Sequence, residues 1–543
     1  MTHVPRPTVM SLHGMVAAAH PLAAEAGAQI LERGGTAFDA AAATAAALNV
    51  VEPFMSGLGG LGFATMWVAA ENRVRVLDFV PPIPASFTPE RFSQRAELHR
   101  GPLSVMPPGN LAGWCELVRA HGLLPLGEVL APAIALARDG FPIAEFGCHE
   151  TNEMAPAMAE LPRLYDQWSR IYWPDGAPLT PGRAIRQPDL AATLERIAAD
   201  GPDHLYGGPL GRAVVDHLRG LGGTLTLDDL AAVRPVWREP ISATYRDLLV
   251  HVPPPHCEGF QFLLTLRILD GFALGVLPRD GVEHLDTVFR AIRLAAGLRI
   301  ANNDPDPETL ARLLSDGHVA SLRERVRDGR PIVGPTEQWM AEPPPGGEDP
   351  GHTTSFSVAD RYGNLVCVTQ SLGAPFGSGV VVPGTGVCLN NFLFWADVQP
   401  GSPNRARPGA TLPMCMSPSI TLRDGRPVLA LGTPGSYGIM QTQAQAMVKH
   451  LDFDMPLRDA VEAPRARLWD GRLVELEPRI AVEVLDGLRR RGHDAQHLPA
   501  DWSWRVGGLQ AISVDPESGV IRGAADPRRD GFVAAAITAG EKR

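Results

Sequence analysis

The sequence predicts a mixed α/β protein whose helices precede most of its strands, and three observations carry that prediction. From roughly residue 125 to residue 330 apolar residues recur mostly at helical spacing. Residues 331–352 form a Pro/Gly linker that includes Glu342-Pro-Pro-Pro-Gly-Gly-Glu-Asp-Pro350, a composition that makes neither helix nor central strand. Beyond it the pattern turns to alternation with period 2 and to hairpin signals.

The elements follow in chain order. Pro21 to Arg33 reads as a helix, with Pro at its first position, Leu22, Ala26 and Ile30 on one stripe, and Gly34-Gly35 to end it. A second helix, about Phe38 to Asn49, is so rich in alanine that it is expected to pack on all sides. Gly57-Leu-Gly-Gly-Leu-Gly62 matches a dinucleotide-binding pattern in letters only. It follows a helix and precedes the strand-like Phe63–Ala69, the reverse of what that motif needs, so it is read as a tight turn. Further helices are expected at Leu190–Ala199 and Leu227–Ala232. After the linker, Phe356 and Val358 alternate with polar residues as in a half-buried strand, and Arg361-Tyr-Gly-Asn364 divides two apolar runs. Arg423-Asp-Gly-Arg426 separates Ser419–Leu422 from Val428–Leu431, a strong hairpin signal. Gln441–His450 resembles a helix, and no internal repeat is evident.

Composition narrows the function. A net charge of −11 argues against nucleic acid or an anionic membrane as partner. No apolar run reaches the roughly 18 residues a membrane span needs. The first ten residues lack the apolar region of a secretory signal, so a cytoplasmic location is expected. Six scattered cysteines form neither a disulfide framework nor a zinc pattern, and His256-Cys257-Glu258 is too sparse for a ligand set. No metal and no other cofactor is expected.

Chemistry enters where the linker meets the strand, at His352-Thr353. A cut there would give Thr353 a free α-amine, with a pKa near ~7.7–8.0 suited to a general base at neutral pH. An N-terminal Thr whose own amine activates its hydroxyl is a known nucleophile arrangement. Gly432-Thr-Pro-Gly-Ser436 lies between a strand and a helix, where exposed backbone N–H groups can form an oxyanion hole.

These motifs, taken together, resemble a known family. Thr353-Thr-Ser-Phe-Ser-Val, Asp360-Arg-Tyr-Gly-Asn364, Phe376-Gly-Ser-Gly379, Leu389-Asn-Asn391, Met416-Ser-Pro418, Gly432-Thr-Pro-Gly435 and Gly523-Ala-Ala-Asp-Pro-Arg-Arg-Asp530 are similar to the small subunit of γ-glutamyltransferases. His20-Pro-Leu-Ala, Gly34-Gly-Thr-Ala-Phe-Asp-Ala40, Pro107-Pro-Gly-Asn-Leu-Ala-Gly113 and Trp237-Arg-Glu-Pro-Ile-Ser242 are similar to the large one. The resemblance implies an N-terminal-nucleophile hydrolase fold, a four-layer αββα sandwich that the two processed subunits build as one domain. It sets residues 1–352 as the large subunit and 353–543 as the small one. It makes Thr353 the nucleophile, freed by cleavage after His352. Ser371 takes the place of a Thr that hydrogen-bonds the nucleophile, and Gly435 and Ser436 fall on the glycine pair of the oxyanion hole. Thr354 would point to the opposite face.

Departures from the family pattern concentrate on the donor pocket. Val80 stands where an Arg grips the donor's α-carboxylate, and Met414 and Cys415 where two Ser residues assist it. Gly373 replaces an Asn, and Phe392 and Trp395 replace the Gln and Asp that hold the α-amine, unless a short shift brings Asp397 into play. A zwitterion buried against such residues would leave both charges unpaired. The expectation is a self-processing amide hydrolase or acyltransferase that takes a small-molecule amide whose acyl part is apolar or small, with water or an amine as acceptor. Family members with altered pockets act on oxamate or on acylated β-lactams. The rivals are an ordinary glutathione hydrolase or γ-glutamyltransferase, and an inert protein that keeps only the fold.

Overall fold

The structure, a computed structural model, describes residues 7–334 and 352–538. Most of the expected linker, residues 335–351, lies outside the described residues. Two seven-stranded antiparallel sheets form the centre. In the first, the order is Phe532–Ala535, Gly14–Ala18, His352–Asp360, Leu365–Gly373, Leu61–Val68, Arg73–Asp78 and Val236–Arg238. In the second it is Val9–Ser11, Ile521–Ala525, Gln510–Val514, Arg426–Gly432, Ser419–Arg423, Leu248–Val252 and Ile241–Tyr245. Each sheet thus interleaves strands from both sides of position 353.

The period-2 rule assigns the faces. In the Gly14–Ala18 strand, Val16 and Ala18 join a cluster with the outer helices, whereas Met15 and Ala17 join Cys367, Ile420, Ala430 and Ile512 between the sheets. Helices Pro21–Glu32 and Ala37–Val51 cover the first sheet, and Phe260–Leu269 and Gly438–Leu451 cover the second, with Val282–Ala301 packed on Phe260–Leu269. The result is the four-layer αββα order. The alanine-rich helix earns its composition: all fifteen residues of Ala37–Val51 are buried, and Thr36 and Asp39 close a capping box at its start. The turn expected from the glycine run is present, with the Gly60 N–H donating to the Gly57 carbonyl at 2.9 Å.

Two expectations change. The hairpin Ile241–Tyr245/Leu248–Val252 and the strand Val236–Arg238 interrupt the segment read as mainly helical. The strand His352–Asp360 begins one residue early and is buried on both faces. Phe356 and Val358 face the helices, while the Ser357 Oγ reaches across to the Gln510 carbonyl of the other sheet at 2.9 Å. Ser355 and Ser357 therefore lie between the sheets and not in solvent.

Candidate active site

Thr353 has the parity of Ser355 and Ser357, so its side chain lies on the face turned toward the second sheet. It pairs in register with Ser371 on the neighbouring strand, and the ladder is irregular between His352 and Thr353. Both of these residues are 3% exposed, so the junction is buried despite the Pro/Gly composition that precedes it. Ser371 also differs from expectation. Its Oγ donates to the His352 carbonyl at 2.5 Å and accepts from the Gly373 N–H at 2.8 Å, so it holds the peptide before Thr353, not the threonine hydroxyl.

The turn Thr433–Ser436 is delivered to this point by the strand Arg426–Gly432. A Cβ on Gly432 would stand 2.2 Å from Ser355 Oγ, so only glycine lets the two sheets close here, two residues from Thr353. Gly435 and Ser436 both have positive φ, +126° and +55°. The Ser436 conformation is one that non-glycine residues adopt at a cost, of order 1 kcal/mol, so the serine in place of the second glycine of the pair carries some strain. Neither the Gly435 nor the Ser436 N–H donates to a partner among the described residues. The Gly435 carbonyl, in contrast, is held by Arg467 Nη1 at 2.6 Å and the Gly438 N–H at 2.9 Å. Arg529 links the two halves: its Nη1 donates to the Thr353 carbonyl at 3.1 Å, and its stem packs on Gly508, whose N–H donates to Thr433 Oγ1 at 3.0 Å.

Two buried carboxylates flank the threonines. Thr354, on the opposite face as expected, donates from Oγ1 to Glu52 Oε2 at 2.9 Å. Glu52 ends the alanine-rich helix, at the negative end of its dipole. Burial pushes its carboxyl up to about 7, against the pull of Arg529 and the Thr354 hydroxyl. The folded state then binds more protons than the unfolded one between pH 4.5 and about 7, so stability falls as pH rises through that window, by roughly 3 kcal/mol in all. Glu52→Gln keeps an acceptor for Thr354, and its denaturation midpoints are expected to lose this pH dependence relative to wild type. Parallel curves for both proteins would assign the effect elsewhere. The second carboxylate, Glu150 on the helix Glu145–Ala159, accepts from His352 Nε2 at 2.9 Å.

The expected donor-pocket residues are all buried, and Val80, Phe392, Trp395, Met414 and Cys415 fall in one apolar cluster. Trp395 is central: its ring lies 6.1 Å from Phe392 and 5.6 Å from Tyr437, the residue after Ser436. Met414 pairs by backbone with His256 and Glu258. Gly373 closes on Asn391, whose Oδ1 accepts from the Ala374 N–H at 2.9 Å. Asp397 stays out of this cluster. Its carboxylate caps the Gln399 N–H at 3.0 Å in an exposed turn.

The sequence missed the charges beneath. Val80 donates its N–H to Asp78, whose other oxygen takes Arg238 at 2.7 Å and His256 at 3.0 Å. Arg299, fully buried, lies 4.0 Å from the Tyr437 ring centre and pairs with Glu258 at 2.7 Å.

A sequence model described as Gamma-glutamyltranspeptidase matches residues 23–536. The chain belongs to the gamma-glutamyltranspeptidase family. It is an enzyme of that family's self-processing, amide-hydrolysing kind, with the N-terminal-nucleophile fold. It is 38% identical to the Acylase ACY 1 proenzyme of Pseudomonas sp. (strain SE83), over 95% of this chain and 92% of that protein. It is 32% identical to the Glutathione hydrolase proenzyme of Bacillus subtilis (strain 168), over 95% of this chain and 90% of that one. The crystal structure of a cephalosporin acylase from Bacillus halodurans aligns with a TM-score of 0.89 at 31% identity, covering 98% of this chain and 97% of its own.

Proposed function

We propose that this member of the gamma-glutamyltranspeptidase family cleaves itself between His352 and Thr353 and then acts as an acylase on amides without a γ-glutamyl head. The observation that carries this reading is the Ser371 hydroxyl on the His352 carbonyl at 2.5 Å, directly before Thr353. A hydrogen bond there polarises the one carbonyl that Thr353 Oγ must attack, and stabilises the oxyanion that forms. Burial of the bond favours self-cleavage, because an outside protease needs an exposed, flexible site. In the cut, an Oγ–C bond forms, the C–N bond breaks, and the freed nitrogen becomes the Thr353 amine. Water then hydrolyses the ester, leaving a carboxylate on His352.

Turnover repeats the chemistry on a donor amide. The Thr353 α-amine takes the hydroxyl proton, Oγ attacks the donor carbonyl, and the Gly435 and Ser436 N–H groups hold the oxyanion. The donor amine leaves with the proton, and water or an acceptor amine releases the acyl group from Oγ. Subunits 1–352 and 353–543 stay together through the interleaved sheets. The reading also keeps the enzyme in the cytoplasm, which cell fractionation tests.

Sequencing the smaller fragment from its N-terminus tests the cleavage, and Thr-Thr-Ser-Phe is the expected start. A start at Thr354, or an active chain that stays whole, would refute it. A second expectation concerns pH. If the free amine is the base, kcat/KM rises with pH through one limb, near ~7–8 for an α-amine of ordinary pKa. Full activity after verified acetylation of that amine would show that another group serves.

A further inference from the structure

The His352–Thr353 bond sits where the strand ladder is irregular: Thr353 pairs with Ser371, but His352 pairs with Gly373. Such bulges leave a residue outside the regular hydrogen-bond pattern. The ladder therefore does not by itself fix the carbonyl that Thr353 must attack. The His352 side chain is fixed instead. Its Nε2 meets Glu150 Oε2 at 2.9 Å, and its ring lies 5.4 Å from that of Trp504, with the His352 and Glu150 side chains 4% and 5% exposed.

A carboxylate this deep in the protein is costly unless a partner compensates it. Burial alone would push Glu150 up. The charge and hydrogen bond of His352, with the Arg529 guanidinium, hold it below the usual carboxylate range. The partner is thus the residue on the acyl side of the bond to be cut, and Arg529 also holds the Thr353 carbonyl on the other side. In the finished enzyme the bond is gone and turnover runs on Thr353, so this contact has no task there.

We propose that Glu150 is a positioning residue for self-cleavage: it grips the His352 imidazole and so keeps the His352 carbonyl on Ser371 Oγ, in reach of Thr353 Oγ. This rests on cleavage at His352–Thr353. The test is a time course of cell-free synthesis for wild type, Glu150→Gln, His352→Gln and the double variant. It follows the fragment that starts at Thr353, and then the hydrolysis of one common amide per new N-terminus. Glu150→Gln is expected to slow cleavage at least tenfold, while turnover per new terminus stays within threefold of wild type. His352→Gln should slow cleavage similarly, and the double variant no more than the slower single one. A purely structural role for Glu150 would lower cleavage and turnover together. Cleavage of Glu150→Gln within twofold of wild type, or single effects that multiply in the double variant, overturns the positioning role and leaves the cut itself standing. If Glu150→Gln fails to fold, His352→Gln decides alone, and cleavage as fast as wild type overturns the role. A wild-type chain that stays whole overturns the proposed function and this role with it.

Discussion

Thr353→Ala is expected to accumulate as one uncut, folded chain with no measurable amide hydrolysis. The residue is 3% exposed and its side chain makes no hydrogen bond that the fold depends on among the described residues, so its removal leaves the sandwich intact. Loss of a buried hydroxyl and methyl costs stability on the order of 1–2 kcal/mol, which a domain of this size tolerates. The chemical cost is of another order. In the proposed mechanism the same Oγ cuts the precursor and forms the acyl-enzyme, and without the cut the α-amine proposed as base is never released. Removing a nucleophile that acts as one unit with its base costs at least roughly 10⁴-fold in rate. Thr353→Ser keeps the hydroxyl but loses the methyl that restricts its rotamer, so slow cleavage and partial activity are expected. A denaturing gel, a melting curve and one hydrolysis assay suffice. A folded Thr353→Ala protein that still yields two fragments, or that hydrolyses amides as wild type does, would remove Thr353 from both roles.

Local pattern made much of the fold legible before any coordinates. The alanine-rich helix, the Arg423–Arg426 hairpin and the Pro21 helix start each carry their signal within a few residues, and all stand near the expected places. The strands Val236–Arg238, Ile241–Tyr245 and Leu248–Val252 were hidden because they are short and are flanked by long helical stretches, so no period had room to register. The candidate site was legible where a motif is contiguous, as at Thr353 and at Gly432–Ser436. It was illegible where partners meet across the fold. Glu150 lies about 200 residues from His352, and nothing local distinguishes it from a surface charge; Arg529, about 175 residues from Thr353, sits in the Gly523–Asp530 motif, but that motif does not reveal its contact with Thr353. Glu52 did carry a faint sign, an acid at the C-terminal end of an alanine-rich helix, where the dipole disfavours it. The contact of Ser371 depends on the ladder irregularity at His352, which spacing cannot reveal.

On donor choice, γ-glutamyl-p-nitroanilide is expected to turn over at least roughly 10³-fold more slowly, in kcat/KM, than the best amide lacking an α-amino-acid head. The γ-glutamyl group carries a carboxylate and an ammonium, and each needs charged or polar partners once buried. The positions that would supply them hold Val80, Phe392, Trp395, Met414 and Cys415, all buried in one apolar cluster. Asp397, the remaining candidate to grip an amine, caps the Gln399 N–H in an exposed turn. Arg299, the buried cation beside Tyr437, is paired with Glu258 and Gln261, so a donor carboxylate would have to compete with an ion pair already formed. Loss of a charged hydrogen bond costs about 2 kcal/mol, and losing one at each end of the zwitterion gives about 4 kcal/mol, near three powers of ten. An apolar or small acyl group meets no such cost, and burial against Trp395 and Phe392 favours it by about 25 cal/mol per Å² covered. The assay compares γ-glutamyl, glutaryl, oxamic and aryl-acyl amides on the cleaved enzyme, beside a glutathione hydrolase of the same family. Turnover of the γ-glutamyl anilide equal to that of the glutathione hydrolase would mean that the zwitterion finds its partners after all, and would return this chain to the ordinary γ-glutamyl reading.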